Sequence, residues 1–282
     1  MSRAASDRVN LSLTSAAGNR FHLWDGFQAA PPEDAPGAAV RLCAGGASDG
    51  LLLVLPDLTG AADCQMLLYN ADGGRAETCG NGLRCVGKRM YESGRLESTW
   101  LTVRTDAGVV GVEVFPASAD GPITKARVEL PTPRERRLLE LDALEVENVP
   151  NRSIDPPCAT FVDLGNPHCV LFGAPELLDE LPTLGPRLER HELFPHRANI
   201  ELATADSTRP NSFTVRVWER GVGETQACGS GAVAVALAAV EAELADWPVA
   251  IQMPGGELVI DHADEQLSLT GPVDPAAALP RS

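Results

Sequence analysis

Asn70-Ala-Asp-Gly-Gly-Arg-Ala-Glu-Thr-Cys79-Gly80-Asn81-Gly82 and Glu219-Arg220-Gly-Val-Gly-Glu-Thr-Gln-Ala-Cys228-Gly229-Ser230-Gly231 lie 149 residues apart and follow one plan. Each leaves an apolar stretch with strand character, residues 66–69 in the first and 213–218 in the second. Each then passes a glycine (Gly74, Gly223), reaches Cys-Gly-x-Gly and enters an apolar run with helical character. The spacing recurs elsewhere: Gly18-Asn19 returns as Gly165-Asn166, and residues 51–55 correspond to residues 199–203. Three separate features at a near-constant offset imply two copies of one unit.

Alternation supplies the strands. Phe213, Val215 and Val217 fall on one face, with Thr214, Arg216 and Trp218 on the other. Residues 101–108 and 109–115 read as a hairpin, and 126–130 opens the second unit. Helices are expected over 82–92 and 231–244. The proline- and charge-rich stretch 131–157 reads as loop with a strand inside it. The units are placed at 1–124, with 268–282 packing back on it, and 125–267.

The bulk composition suits two cores. A chain of 282 residues fits about two domains of roughly 150 residues each. It is 44% hydrophobic and 22% charged, as ordinary globular proteins are. The net charge of −16 opposes a nucleic-acid or anionic-membrane partner, which would need clustered Lys and Arg. The N-terminal residues lack the apolar core of an export signal. The longest apolar run, residues 232–240, is far short of the ~20 residues a membrane span needs. Seven cysteines, irregularly spaced, read as thiols of a cytoplasmic chain. Cys43, Cys64, Cys85, Cys158 and Cys169 read as packing residues.

A cysteine at a helix start faces unsatisfied backbone N–H groups and the positive end of the helix dipole, which lowers a thiol pKa. The same N–H groups form an anion site, and glycines allow close approach to it. Two such starts are suited to grip one carboxylate with a thiol on each side of its α-carbon. Inverting that carbon requires a base on one face and an acid on the other, with negative charge stabilised on the carboxylate. The usual alternative is pyridoxal phosphate held by a lysine. Lys88 and Lys125 are the only lysines, and neither lies in a phosphate-cradling context, so no cofactor is expected. No metal is expected either, because Cys79, Cys85, Cys228 and His168 lack paired zinc-ligand spacing. A thiol–disulfide oxidoreductase is disfavoured by the absence of Cys-x-x-Cys.

The chain resembles the diaminopimelate epimerase family over about residues 18–272. The resemblance rests on Gly18-Asn19-Arg-Phe21, Ser48-Asp-Gly-Leu, Asn70-Ala-Asp-Gly, Cys79-Gly-Asn-Gly, Gly165-Asn-Pro-His168 and Phe194-Pro-His-Arg-Ala-Asn199-Ile-Glu. It continues through Glu219-Arg220, Cys228-Gly-Ser-Gly, Met253-Pro-Gly-Gly and Leu269-Thr-Gly-Pro272. It implies an α+β fold of two pseudo-symmetric α/β units, each a curved sheet around a central helix, with the active site in the cleft between them. It further implies a pyridoxal-independent epimerase converting LL- to meso-2,6-diaminopimelate in lysine and peptidoglycan precursor synthesis, acting as a homodimer. Cys79 and Cys228 match the catalytic pair. The backbone of Gly80, Asn81, Gly229 and Ser230 matches the clamp on the reacting carboxylate. Asn19, Asn70, Asn166, Asn199 and Arg220 match side chains that hold the substrate. Glu219 and His168 match residues that set the thiols' protonation and touch the substrate.

Two departures stand out. Residues 13–17 replace the family's Lys-Met-His-Gly-Leu as a rebuilt loop, and Arg20 replaces an acid; Gly50 stands where some members place a glutamine. The alternative reading is a relative with the same two thiols acting on another amino acid, of histidine or proline type.

Overall fold

A computed structural model describes residues 10–118, 121–140, 144 and 158–274. The chain divides into two compact units: Met1–Glu129 with Thr270–Ser282, and Leu130–Leu269.

Unit 1 begins with β1 (Leu11–Ala16) and β2 (Asn19–Asp25), an antiparallel hairpin. Its two-residue turn has positive φ at Ala17 (47°) and Gly18 (86°), as the mirror-image turn that suits strand twist requires. The expectation of a loop over 13–17 is thereby corrected: Leu13 and Thr14 pair with His22 and Phe21, and only Ala17 and Gly18 turn. The helix Ala35–Cys43 crosses from β2 to the parallel β3 (Gly50–Leu55). Antiparallel β4 (Cys64–Asn70) and the short β5 (Arg75–Ala76) follow. The helix Gly80–Glu92 crosses to β6 (Trp100–Thr105), parallel to β4. Next come β7 (Gly108–Pro116) and β8 (Ile123–Leu130), each antiparallel to the strand before it.

Unit 2 repeats this order after one added strand. The strand β9 (Glu135–Glu140) pairs with β10 (Cys158–Asp163), which pairs with β11 (Pro167–Phe172), both antiparallel. The helix Leu181–Glu189 crosses to the parallel β12 (Asn199–Ala205). Antiparallel β13 (Ser212–Glu219) and β14 (Gly223–Thr225) precede the helix Gly229–Glu241. The strand β15 (Val249–Met253) then lies parallel to β13, with β16 (Gly256–Ala263) antiparallel to it and β17 (Gln266–Pro272) last. The strand expected within 131–157 is β9; residues 141–143 and 145–157 lie outside the described residues.

Each unit is a sheet wrapped around its Cys-Gly-x-Gly helix. In the second helix Gly231 through Ala239 are all buried, the pattern of a helix apolar all round and enclosed on every side. Its alanines leave space for the strands to close in. In the first helix Gly87 serves that purpose: a Cβ there would lie 2.9 Å from both Val112 and Val114. A second layer lies on the other face. The helix Ala35–Cys43 buries Ala35, Ala38 and Ala39 with Trp24, Leu51 and Leu53; the helix Leu181–Glu189 buries Leu181, Leu184 and Leu188 with Leu171, Ile200 and Leu202. Each buried leucine contributes roughly 1.5–3 kcal/mol.

Both Cys-Gly-x-Gly helices start two residues earlier than expected, because the cysteine itself is the N-cap and Gly80 and Gly229 already turn. The first ends with Gly94 at φ 69°, whose N–H reaches Tyr91 O while Arg95 N–H reaches Met90 O. That is the six-to-one closure typical of helix C-termini. The second ends at Glu241, three residues short of the expected 244, and closes the same way at Glu243 (φ 57°), where Leu244 N–H turns back to Ala239 O. Without a glycine there, the sequence carries no stop signal.

Candidate active site

In unit 1, β4 and β5 deliver the chain to Cys79. Asn70 N–H bonds Gly74 O and its carbonyl accepts from Gly73, which closes the turn; the Asn70 side chain is exposed. Cys79 is extended (φ −156°, ψ 115°), and its Sγ accepts from Gly82 N–H at 3.4 Å, replacing the usual oxygen cap. Asn81 is buried: its Nδ2 donates to Asn19 Oδ1, and its Oδ1 accepts from Arg84 Nη2 at 2.7 Å. Asn19 reaches Asp49 Oδ2 at 3.4 Å, and that carboxylate also accepts from Arg20 N–H at 2.7 Å. Arg20 itself turns away to Gly46 O. Gly50 leaves no space for a longer residue, since a Cβ there would lie 2.7 Å from Tyr69 O.

Arg84 was not anticipated from the sequence. It is fully buried, and burial lowers its pKa to about 10, so it stays charged at neutral pH. It donates to Asn81 and, at 3.4 Å, to Pro272 O; its Nη1 has no partner among the described residues. Cys85, read as a packing residue, is fully enclosed, and burial pushes its thiol up to about 12. Cys64 behaves alike, also at about 12. Cys43 and Cys169 are buried too, while the Cys158 side chain lies outside the described residues.

Unit 2 presents the same cap. Cys228 (φ −130°, ψ 112°) accepts from Gly231 N–H at 3.4 Å, and Ser230 Oγ lies 3.5 Å from its Sγ. Asn166 Nδ2 donates to Ser230 Oγ at 3.1 Å. Unlike the half-buried Cys79, Cys228 is buried, and that burial, with the charges of Glu219 and Glu201, pushes its thiol strongly up, overriding the lowering expected at a helix start. Thr225 Oγ1 donates to Glu219 Oε1 at 2.5 Å.

Asn199 serves as a brace. Its Nδ2 donates to Pro167 O at 3.0 Å and its Oδ1 accepts from Arg220 N–H at 2.9 Å. It thereby ties β12 to the start of β11 and to the turn that carries Arg220. Arg220 Nη1 donates to His196 O, and the guanidinium borders a cavity of about 530 Å³ with Arg134, Arg137, Arg197 and His196. Glu189 secures the same turn from behind, accepting from Gly221 N–H, Trp218 Nε1 and Arg197 Nη1.

His168 is completely buried, with Nδ1 2.7 Å from Oε1 of Glu201, which is equally buried. Glu201, like Arg84 and Glu189, was missed from the sequence. The structure corrects the expected match of residues 51–55 with 199–203 by one residue, setting Gly50 against Asn199 and so Leu52 in the place of Glu201.

Chemically, each unit offers a thiol at a helix N-terminus with two following backbone N–H groups, the elements of an anion clamp with an acid–base group beside it. Residues 12–126 and 160–275, spanning both units, match the sequence profile of diaminopimelate epimerase. The chain belongs to the diaminopimelate epimerase family.

Relatives agree along nearly the whole length. Diaminopimelate epimerase of Pelotomaculum thermopropionicum is 38% identical over 281 residues, covering 94% of this chain and 96% of the relative. That of Desulforudis audaxviator is 39% identical over 271 residues, covering 91% and 93%. Among solved structures, a phenazine biosynthesis protein of Bacillus anthracis superposes with TM-score 0.70 at 15% identity, covering 95% of this chain and 98% of that one. A probable proline racemase of Agrobacterium radiobacter superposes at 0.64 with 15% identity, covering 96% and 93%. At such identities the likeness concerns the diaminopimelate epimerase fold alone. Membership makes the chain an isomerase. Of its two lysines, Lys88 is buried between Glu92 and Ile123 O, 2.7 and 2.8 Å away, inside the first unit's core. No helix among the described residues is long and apolar enough to cross a membrane.

Proposed function

We propose that this chain interconverts LL- and meso-2,6-diaminopimelate without pyridoxal phosphate, using Cys79 and Cys228 as acid and base on opposite faces of one α-carbon. One thiolate takes the α-hydrogen as S–H forms, and the opposite thiol gives its proton to the carbanion. The enzyme is left with thiol and thiolate exchanged, and the reverse reaction restores them. The observation that carries this reading is the identical cap in both halves: each Sγ accepts from the N–H three residues on, at 3.4 Å. Each thiol thus sits at the positive end of a helix beside Gly80 and Asn81 or Gly229 and Ser230, whose N–H groups are suited to a carboxylate.

The distal amino-acid end of the substrate falls to Asn19, Asn70, Asn166 and Arg220, with Asn199 acting chiefly through the Arg220 backbone. Arg220 supplies a fork that matches a carboxylate. Glu219 and His168 set the protonation of the thiols. A homodimer, a cytoplasmic location and a role in lysine and peptidoglycan precursor synthesis complete the reading.

Incubation with LL-diaminopimelate in D2O, under reducing conditions and without pyridoxal phosphate, should yield α-deuterium and the meso isomer. Exchange into another amino acid with none into diaminopimelate would overturn the substrate assignment.

A further inference from the structure

Glu201 and His168 are both 0% exposed in unit 2, and each keeps one polar atom without a partner among the described residues: Glu201 Oε2 and His168 Nε2. The internal repeat shows that the fold has another way to fill this place. In the parallel pair β2–β3, Phe21 faces Gly50; in β11–β12, His168 faces Asn199. Two residues further along β3 and β12 stand Leu52 and Glu201. Each lies under the third residue of its helix: a Cβ on Gly82 would be 3.0 Å from Leu52 Cδ2, and one on Gly231 would be 2.7 Å from Glu201 Oε1. Unit 1 thus closes the space with Phe21 and Leu52. Unit 2 closes it with an imidazole and a carboxylate, despite the desolvation both suffer.

We infer that Glu201, beneath the first turn of the Cys228 helix, is a positioning residue whose carboxylate holds the Nδ1–H of His168 and so leaves its Nε2 a bare acceptor. This rests on the proposed two-thiol chemistry. A carboxylate that engages one ring nitrogen fixes the tautomer of the other. Among the described residues, Glu201 acts on the thiols of Cys228 on the helix and Cys169 on β11, with Glu219 on β13 also acting on Cys228 and Arg137 on β9 on Cys169. Burial first, then the charges of Glu219 and Glu201, favour the protonated Cys228 thiol. A buried anion at this point therefore suits Cys228 to the acid role when the substrate arrives.

Three measurements on the full chain test the assignment. In 15N-labelled protein at neutral pH, His168 should carry its proton on Nδ1 with Nε2 bare; an Nε2–H tautomer or an imidazolium would overturn it. Glu201→Leu borrows the residue of the first unit and should fold, yet lose about 100-fold in kcat, the scale of acid–base assistance. Its KM should stay within about threefold, as expected when an effect is confined to the chemical step. The pH profile for alkylation of Cys228 should move to lower pH in this variant. Glu201→Gln, which can still accept from Nδ1–H, should recover about tenfold of the lost kcat, since it keeps the tautomer but not the charge. An unchanged kcat and unmoved alkylation profile in Glu201→Leu would sink the inference. If that variant does not fold, the tautomer and the profile of Glu201→Gln decide. Failure of the unaltered chain to act on diaminopimelate would instead remove the substrate reading, leaving the tautomer and alkylation results to stand alone.

Discussion

Arg84 Nη2 lies 2.7 Å from Asn81 Oδ1, so the residue second in the Cys79 helix is held from within the core by a fully buried cation. The same amide donates to Asn19. Asn81→Ala would strip Arg84 of this partner while its Nη1 already has none among the described residues. A buried donor left unpaired costs about 1–3 kcal/mol, more when charged. Urea unfolding should therefore show Asn81→Ala destabilised by about 3 kcal/mol. Arg84→Lys should fare no better, since an ammonium lacks the planar fork. A loss below about 0.5 kcal/mol, the level of an ordinary surface change, would mean the contact carries no weight.

Gly231 and Gly82 should respond unequally to alanine. At Gly82 the new Cβ meets Leu52 Cδ2 at 3.0 Å, a methyl that can shift slightly; at Gly231 it meets Glu201 Oε1 at 2.7 Å, an oxygen tied to His168. Each gains about 1 kcal/mol of helix propensity, while overpacking costs about 1–3 kcal/mol. Gly82→Ala is expected near neutral in thermal stability and Gly231→Ala clearly destabilised. Equal melting temperatures for the two variants would contradict the asymmetry.

The two catalytic candidates should label in order. Cys79 is half-buried, whereas Cys228 is buried and its thiol is raised by that burial and by Glu219 and Glu201. Iodoacetamide at neutral pH should modify Cys79 first, with Cys228 following only as pH rises toward its elevated value, because the thiolate is the nucleophile. Peptide mapping over a pH series reads this directly. Faster labelling at Cys228 would reverse the assignment of resting states.

Glu189 holds the turn bearing Glu219 and Arg220 through Gly221 N–H at 3.1 Å and Trp218 Nε1 at 3.0 Å. Burial alone would raise its pKa, but the bonds from Trp218 and Gly221 and the nearby arginines prevail and lower it. Its stabilising contribution is therefore complete above the normal carboxylate range and disappears as pH falls through the lowered value. Glu189→Ala should raise KM for diaminopimelate about tenfold or more through the misplaced Arg220, with a smaller change in kcat, as loss of uniform binding requires. A fall in kcat at constant KM would place Glu189 in the chemistry instead.

Much of this arrangement was legible before the structure because the repeat is written in residues with few substitutes. The last glycine of each Cys-Gly-x-Gly cap has little space for a side chain, a Cβ on Gly82 lying 3.0 Å from Leu52 and one on Gly231 2.7 Å from Glu201, so it recurs in both halves. The helix boundaries were less visible. A cysteine cap has no strong sequence signature, and Glu243 adopts positive φ without being glycine. The crossover helices Ala35–Cys43 and Leu181–Glu189 escaped because Pro36, Pro182 and Pro186 suggest loops. The first is capped by Asp34, whose Oδ1 accepts from Gly37 N–H. Arg84 and Glu201 were hidden for another reason: a single charged residue in an apolar segment reads as a solvated edge until its neighbours in space are known.

The claim on which everything else depends is that both N-capping thiols are required. Cys79→Ser and Cys228→Ser should each be assayed with LL-diaminopimelate in D2O, following the meso isomer and α-deuterium separately. The account predicts no meso product from either variant, with the fold intact by circular dichroism. Sustained conversion to the meso isomer by either one would contradict it.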